Sequence, residues 1–271
     1  VEPGADLILK DGSELKMGED GNILIDHAGS LSGTLTYNEN AVILLNHENS
    51  FLDIKGDLII ASNATFTFTG NGYIKFSNPG DDQTQNISCG TGASVYLEGS
   101  GQSDKIVEVQ QSTVRFPVLD NLTFKNGTIE MGNNKRIETS KYCLITMDNI
   151  KVTSDNSIYN GHRSIHLHGQ NNVIIENSIF EYGKWGLYGN YSEAMEFASD
   201  ITECDINSSG INGVHYEGAS SADLTVDHAE ILSNSKGINV AGSFDLNLQT
   251  CNLINDNLYG ERKLGAGKIS E

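Results

Sequence analysis

The sequence is short of the residues that kink or cross-link a chain, with 3 Pro, 4 Cys and 1 Trp among 271 residues. Cys89, Cys143, Cys204 and Cys251 lie far apart, without a Cys-x-x-Cys pair or zinc-type spacing. Buried free thiols are therefore expected, with disulfides left open. No apolar run approaches the length of a membrane span, which argues against membrane insertion. Helical periodicity is nearly missing; its best candidate, Ser192–Ala198, is one or two turns long. Positive charge is scarce as well. Lys and Arg number 17 against 36 Asp and Glu, a net charge of −19. Such a balance disfavours nucleic acid and anionic membranes as partners, and polyanionic glycans too unless calcium or a local basic patch intervenes. The chain opens Val1-Glu2-Pro3 with neither Met nor a signal peptide, which reads as a processed or excised part of a larger polypeptide.

Glycine is plentiful, with 29 residues, and Asn, Ser and Thr are common. That mixture suits many tight corners, where Gly and Asn adopt left-handed backbone at the least steric cost. Charged residues at 20% and hydrophobic ones at 38% describe a folded chain. A repeat organises it. A small residue followed by an alternating strand recurs at Ser164-Ile165-His166-Leu167, Gly186-Leu187-Tyr188, Gly213-Val214-His215-Tyr216 and Gly237-Ile238-Asn239-Val240, with a fainter copy at Tyr259-Gly260. The steps between these marks are 22, 27, 24 and 23 residues. A unit of this size is too short for a strand–helix–strand crossover and fits a solenoid coil of short strands. At roughly 4.8 Å per coil, about eleven coils would make a rod on the order of 50 Å long.

Residues 1–78 carry strands starting about every eight residues: Asp6–Lys10, Glu14–Met17, Asn22–Ile25, Thr34–Tyr37, Ala41–Leu45, Phe51–Ile54, Asp57–Ile60, Thr65–Phe68 and Tyr73–Phe76. Three of them make one coil, so this part reads as short coils. Residues 79–112 are less regular and read as an inserted loop or a seam. Residues 113–271 read as longer coils in the same single β-helix. Glu261 falls where earlier coils place Leu187, Val214 and Ile238, so the repeat is expected to end or be cut there.

On these residues, most clearly over 121–260, the chain resembles the right-handed parallel β-helix superfamily, whose repeats occur in polysaccharide lyases, glycoside hydrolases and large bacterial surface proteins. The opening Val1–Leu9 and Gly12–Met17 are similar to coils of large secreted surface proteins. The resemblance implies an all-β, single-stack, right-handed β-helix and an extracellular or cell-surface location. It leaves activity open.

Strand parity locates the candidate chemistry. Where two aliphatic residues flank a third position, that third position points out. His166, Tyr188, His215 and Asn239 would then stack in one outward row, with His168 and Glu217 on the same side of their own strands. Four rungs span roughly 14 Å, close to three sugar units, and aromatic and imidazole side chains suit sugar rings by stacking and by hydrogen bonds from their tips. Arg163 and Trp185 join this candidate glycan-binding set. Ordinary polar decoration of a β-helix explains the same residues equally well.

Catalysis would need more. A lyase requires a base, for which Tyr188 or His215 would serve, and a neutraliser such as Arg163 or Lys184. Val226-Asp227-His228 is similar to a pectate-lyase strand motif, but the paired arginines around a proline are missing; Arg115-Phe116-Pro117 has no second Arg nearby in sequence. Gly161-His162-Arg163 is similar to a fragment of the polygalacturonase His motif, whose partner motifs are absent. An inverting hydrolase would draw its two carboxylates from Glu217, Asp223 and Asp227. No catalytic set is complete. His166-Leu167-His168 lacks a fixed third metal ligand. No cofactor is required, although calcium at Asp81-Asp82 is an option. The expectation is a rigid rod from a secreted bacterial protein that binds polysaccharide or surface glycan, with a polysaccharide-cleaving enzyme as the alternative.

Overall fold

The computed structural model describes backbone and register for residues 1–10, 12–17, 22–25, 27–28, 31–39, 41–77, 84–132, 135–139, 143–153, 160–168, 172–181, 183–191, 198–202, 205–207, 212–227, 230–232, 236–249, 252–254, 259–264 and 269–270. Side chains are described for those up to 181, apart from 17, 27–32 and 160–172. The candidate helix Ser192–Ala198, apart from Ala198, which opens a strand, lies outside the described residues, as do Asp81-Asp82, His228, Cys204 and Cys251.

The chain winds as an all-β parallel solenoid, with no helix among the described residues. Each coil lays one strand on each of three faces. The first face begins with Asp6–Leu9, Thr34–Tyr37 and Asp57–Ile60. It continues through Thr84–Asn86, Thr113–Phe116, Arg136–Thr139, Asn160–His168 and Gly183–Tyr191 into the openings of Asn212–Asp227 and Lys236–Gln249. Ser88–Cys89 pairs back to Ile59–Ile60 while Thr84–Asn86 pairs forward, so the ladder changes partners across Ile87. The second face stacks Glu14–Met17, Val42–Leu45, Thr65–Gly70, Ser94–Glu98 and their successors; the third stacks Asn22–Ile25, Phe51–Ile54, Tyr73–Phe76 and Lys105–Val109. Among the described residues every pairing is parallel except a small hairpin, His27–Ala28 with Leu31–Ser32.

Alternation of side chains decides which way each strand faces. On the second face Phe66, Val95, Leu122, Ile145 and Val173 are register neighbours, and all are buried. On the third, Leu52, Ile74, Val107, Ile129, Val152 and Phe180 do the same. Each such side chain stabilises the fold by about 1.5–3 kcal/mol when buried. A parallel sheet normally needs helices over both surfaces. Here the inner surfaces of the three walls cover one another, and the outer surfaces are left for polar residues.

The corners use the residues that the composition promised. Asn126, Asn149 and Asn177 have φ of 50, 56 and 51°, in the left-handed region. They are tied along the stack: Asn149 Nδ2 donates to Asn126 Oδ1 at 2.8 Å, and Asn126 Nδ2 to Glu98 Oε1 at 3.1 Å. Gly70, at φ 126°, passes so close to the Leu45 carbonyl that a Cβ would collide with it.

Three expectations change. The N-terminal coils are not shorter: Asp6 pairs with Thr34 and Thr34 with Asp57, steps of 28 and 23, while Arg115 pairs with Glu138 and Glu138 with His166, steps of 23 and 28. Three four-residue strands and their corners need about the same length anywhere in the chain. Second, within the 79–112 stretch expected to be an inserted loop or a seam, residues 84–109 supply ladder strands to all three faces, with a change of partners across Ile87. Their pattern is masked because polar Gln85 takes an inward position, register neighbour of Val114. Third, about five turns are described with side chains, against the eleven coils expected for the whole chain.

Candidate functional site

The first face brings the sequence candidates together. Along its length Asn86, Arg115, Glu138, His166, Tyr188, His215, Asn239 and Arg262 follow one another in register. His166, Tyr188, His215 and Asn239 therefore occupy consecutive rungs, each step about 4.8 Å. A second row runs Thr113, Arg136, Arg163, Trp185, Asn212 and Lys236. A third runs His168, Asn190, Glu217 and Ala241. All eight candidates lie on one sheet within four coils. The carboxylates proposed as a hydrolase pair do not. Glu217 is on the first face, whereas Asp223 and Asp227 pair with Ala198 and Thr202 on the second. The repeat step between them crosses a corner, so proximity in sequence does not become proximity on one face. Val226-Asp227 is likewise off the row. The shallow hollow lined by Lys10, Asn38, Glu39, Ala61 and Ser62 belongs to the first three coils.

Where side chains are described, the two coils just before His166 hold an ionic cluster on this face. Val114 and Ile137 are buried in the core, which puts Arg115, Arg136 and Glu138 on the outer side of their strands. Glu138 is nonetheless only 1% exposed, while Arg115 and Arg136 remain 40% and 33% exposed. Arg115 Nε donates to Glu138 Oε2 at 2.7 Å, and its Nη2 meets the same oxygen at 2.5 Å. Arg136 Nε lies 2.6 Å from Oε1 while donating to Thr113 Oγ1 at 3.0 Å, so it holds Glu138 by charge rather than by an aligned hydrogen bond. Burying a carboxylate this deeply requires such compensation. The sequence reading found no second arginine near Arg115; the structure supplies one from the next coil. Laying Thr113–Phe116 over Arg136–Thr139 at the 23-residue step would have revealed the pairing.

The third face carries a different cluster, which the sequence reading did not single out. Phe51 and Tyr73 stack at 5.3 Å, and Lys105 Nζ sits 4.0 Å from the Tyr73 ring centre. Lys105 also contacts Glu108 at 2.7 Å and Glu130 at 3.3 Å, and Lys75 reaches Glu108 at 3.5 Å. Burial works against the charge of Lys105, but these carboxylates outweigh it and its pKa is raised. Burial likewise opposes the charge of Glu108, yet Lys105 and Lys75 prevail and its pKa is lowered. Burial raises the Tyr73 phenol, with Lys105 opposing.

Burial pushes the thiols of Cys89 and Cys143 up to about 12, which makes them poor nucleophiles. Among the described residues no group of three His, Cys, Asp or Glu is placed to hold a metal ion, and no helix is long and apolar enough to cross a membrane. No family model, curated protein or solved structure matches the chain.

Proposed function

We propose that the first face is an elongated binding strip for polysaccharide, carried on a rigid rod of the right-handed parallel β-helix superfamily that forms part of a secreted or cell-surface bacterial protein. The observation that supports it is the register of His166, Tyr188, His215 and Asn239, with Arg163 and Trp185 in the row beside them. A row of rungs at this spacing matches an extended sugar chain better than a small ligand, since each ring meets a fresh side chain on a stiff scaffold. Binding of soluble oligosaccharides, followed calorimetrically, should strengthen with chain length up to about three or four units. Tyr188→Ala or His215→Ala should weaken binding roughly five- to tenfold, the size of one lost stacking or hydrogen-bonding contact. Length-independent binding, or variants that bind like the wild type, would sink this reading.

A polysaccharide-cleaving enzyme is the second reading, favoured by the arrival of arginines beside the His/Tyr row. The test is depolymerisation of neutral and acidic polysaccharides, with and without calcium, followed by unsaturated products or new reducing ends. Cleavage lost in Tyr188→Phe and His215→Ala would make the strip an active site. Binding without cleavage on every substrate would rule the enzyme out.

A further inference from the structure

The ionic cluster at the head of the strip does more than neutralise itself. Two guanidiniums face one carboxylate, so the cluster keeps a charge of +1 on a chain whose net charge is −19. Glu138 engages Nε and Nη2 of Arg115 and lies against Nε of Arg136. Among the described residues no hydrogen bond runs from Nη1 of Arg115 or from either terminal nitrogen of Arg136, and both side chains are a third or more exposed. The register neighbour of Arg136 on the next coil is Arg163, and that of Glu138 is His166, so the surplus charge adjoins the proposed strip.

We propose that Arg115 and Arg136, oriented by the buried Glu138, form an anion subsite that receives a carboxylate or sulfate group of an acidic glycan lying along the first face. This rests on the strip reading and narrows its ligand class. The buried carboxylate takes the Nε and Nη2 edge of Arg115 and, with Thr113, the Nε of Arg136, which leaves Nη1 of Arg115 and the terminal nitrogens of Arg136 as donors. A fork held in this way loses little freedom when it takes an oxyanion. The overall negative charge of the protein repels polyanions at long range. A local cationic site therefore decides where, and whether, an acidic chain lands. Glu138 is a positioning residue, and its removal has a sign opposite to that of the arginines: it releases both guanidiniums and raises the local charge.

The test uses the full chain and three matched oligosaccharide probes in low salt: oligogalacturonate for carboxylate, a heparin oligosaccharide for sulfate, and neutral mannan oligomers. The wild type should bind at least one acidic probe about tenfold more tightly than the neutral one, with the preference fading as salt rises. Arg136→Gln should abolish that preference, and Glu138→Gln should increase it about threefold. Circular dichroism and melting curves would confirm that both variants fold; if Arg136→Gln does not, the gain in Glu138→Gln carries the test alone. Equal binding of acidic and neutral probes, or an acid preference unchanged in both variants, overturns the subsite and leaves the strip standing. Failure of every probe to bind overturns the strip and the subsite with it. The carboxylate and sulfate arms separate the two sources of the anion.

Discussion

The first and third faces are built on the same ladder and balance their charges differently. On the third, Lys75 and Lys105 pair with Glu108 and Glu130, with Asp53 the register neighbour of Lys75, so no cation is in surplus, and Lys105 also covers the Tyr73 ring. On the first, Arg115 and Arg136 meet Glu138 alone. In a parallel stack each rung brings equivalent positions within reach of the next, so a row either closes on itself or presents a surplus along its length. The third face is closed. The first has an unspent cation just before a run of His, Tyr and Asn positions.

The largest test of this contrast removes the compensation around Glu138. In Arg115→Met/Arg136→Met the carboxylate stays buried with both of these guanidiniums gone, and stability should fall by about 3–5 kcal/mol, the usual cost of breaking a buried ion pair by removing one side. Adding Glu138→Gln should restore much of that loss. Urea unfolding would check it; a loss below about 1 kcal/mol would mean that the cluster does not depend on its arginines.

Next in size is Glu108→Gln on the closed face. It should cost about 1–2 kcal/mol, the charge-assisted bond to Lys105 being lost from a side chain that is largely but not wholly buried. The pH dependence has a definite sign. The folded-state pKa of Glu108 lies below its ordinary value of 4.5, so its contribution is present above that value and disappears as pH falls through the lowered pKa. The gap between wild type and variant should therefore be widest near neutrality and should close below about pH 4. Binding of acidic glycan should be untouched, because this face has no part in it. A gap that widens on acidification would reverse the assignment.

How much of this was legible without coordinates follows from which residues carry it. The nine strands read in the first 78 residues lie where the structure has strands, because each alternates apolar and polar residues between Gly or Asn corners. The His166–Tyr188–His215–Asn239 register was visible because a small residue precedes the strand in nearly every copy. The Arg115–Glu138–Arg136 cluster was not, because coil steps vary between 22 and 29 residues on this face and charges read as solvated by default. The burial of Glu138 depends on side chains that successive coils bring together, Arg115 and Arg136 among them, and nothing local in the sequence signals it. Gln85 hid a whole coil for a related reason: its inward amide donates to the Gly56 carbonyl at 2.7 Å, a partner about one turn away that no local pattern announces.

The smallest expected effect runs the comparison backwards. Glu130→Gln leaves Glu108 as the one carboxylate in ion pairs with Lys75 and Lys105, which copies among those pairs the two-to-one count of the first face. If surplus charge were sufficient, the variant would gain an anion site equal to that of the first face. The physics says otherwise. Lysine ammonium groups are strongly hydrated point charges on flexible stems, with no planar fork to match an oxyanion, and Lys105 is already engaged with Glu108 and the Tyr73 ring. Affinity for a heparin oligosaccharide in low salt should rise by about twofold or less, and 0.15 M salt should erase the gain. A tenfold rise would show that charge count alone makes an anion site on this scaffold, and the role given to guanidinium geometry and to Glu138 would have to be withdrawn.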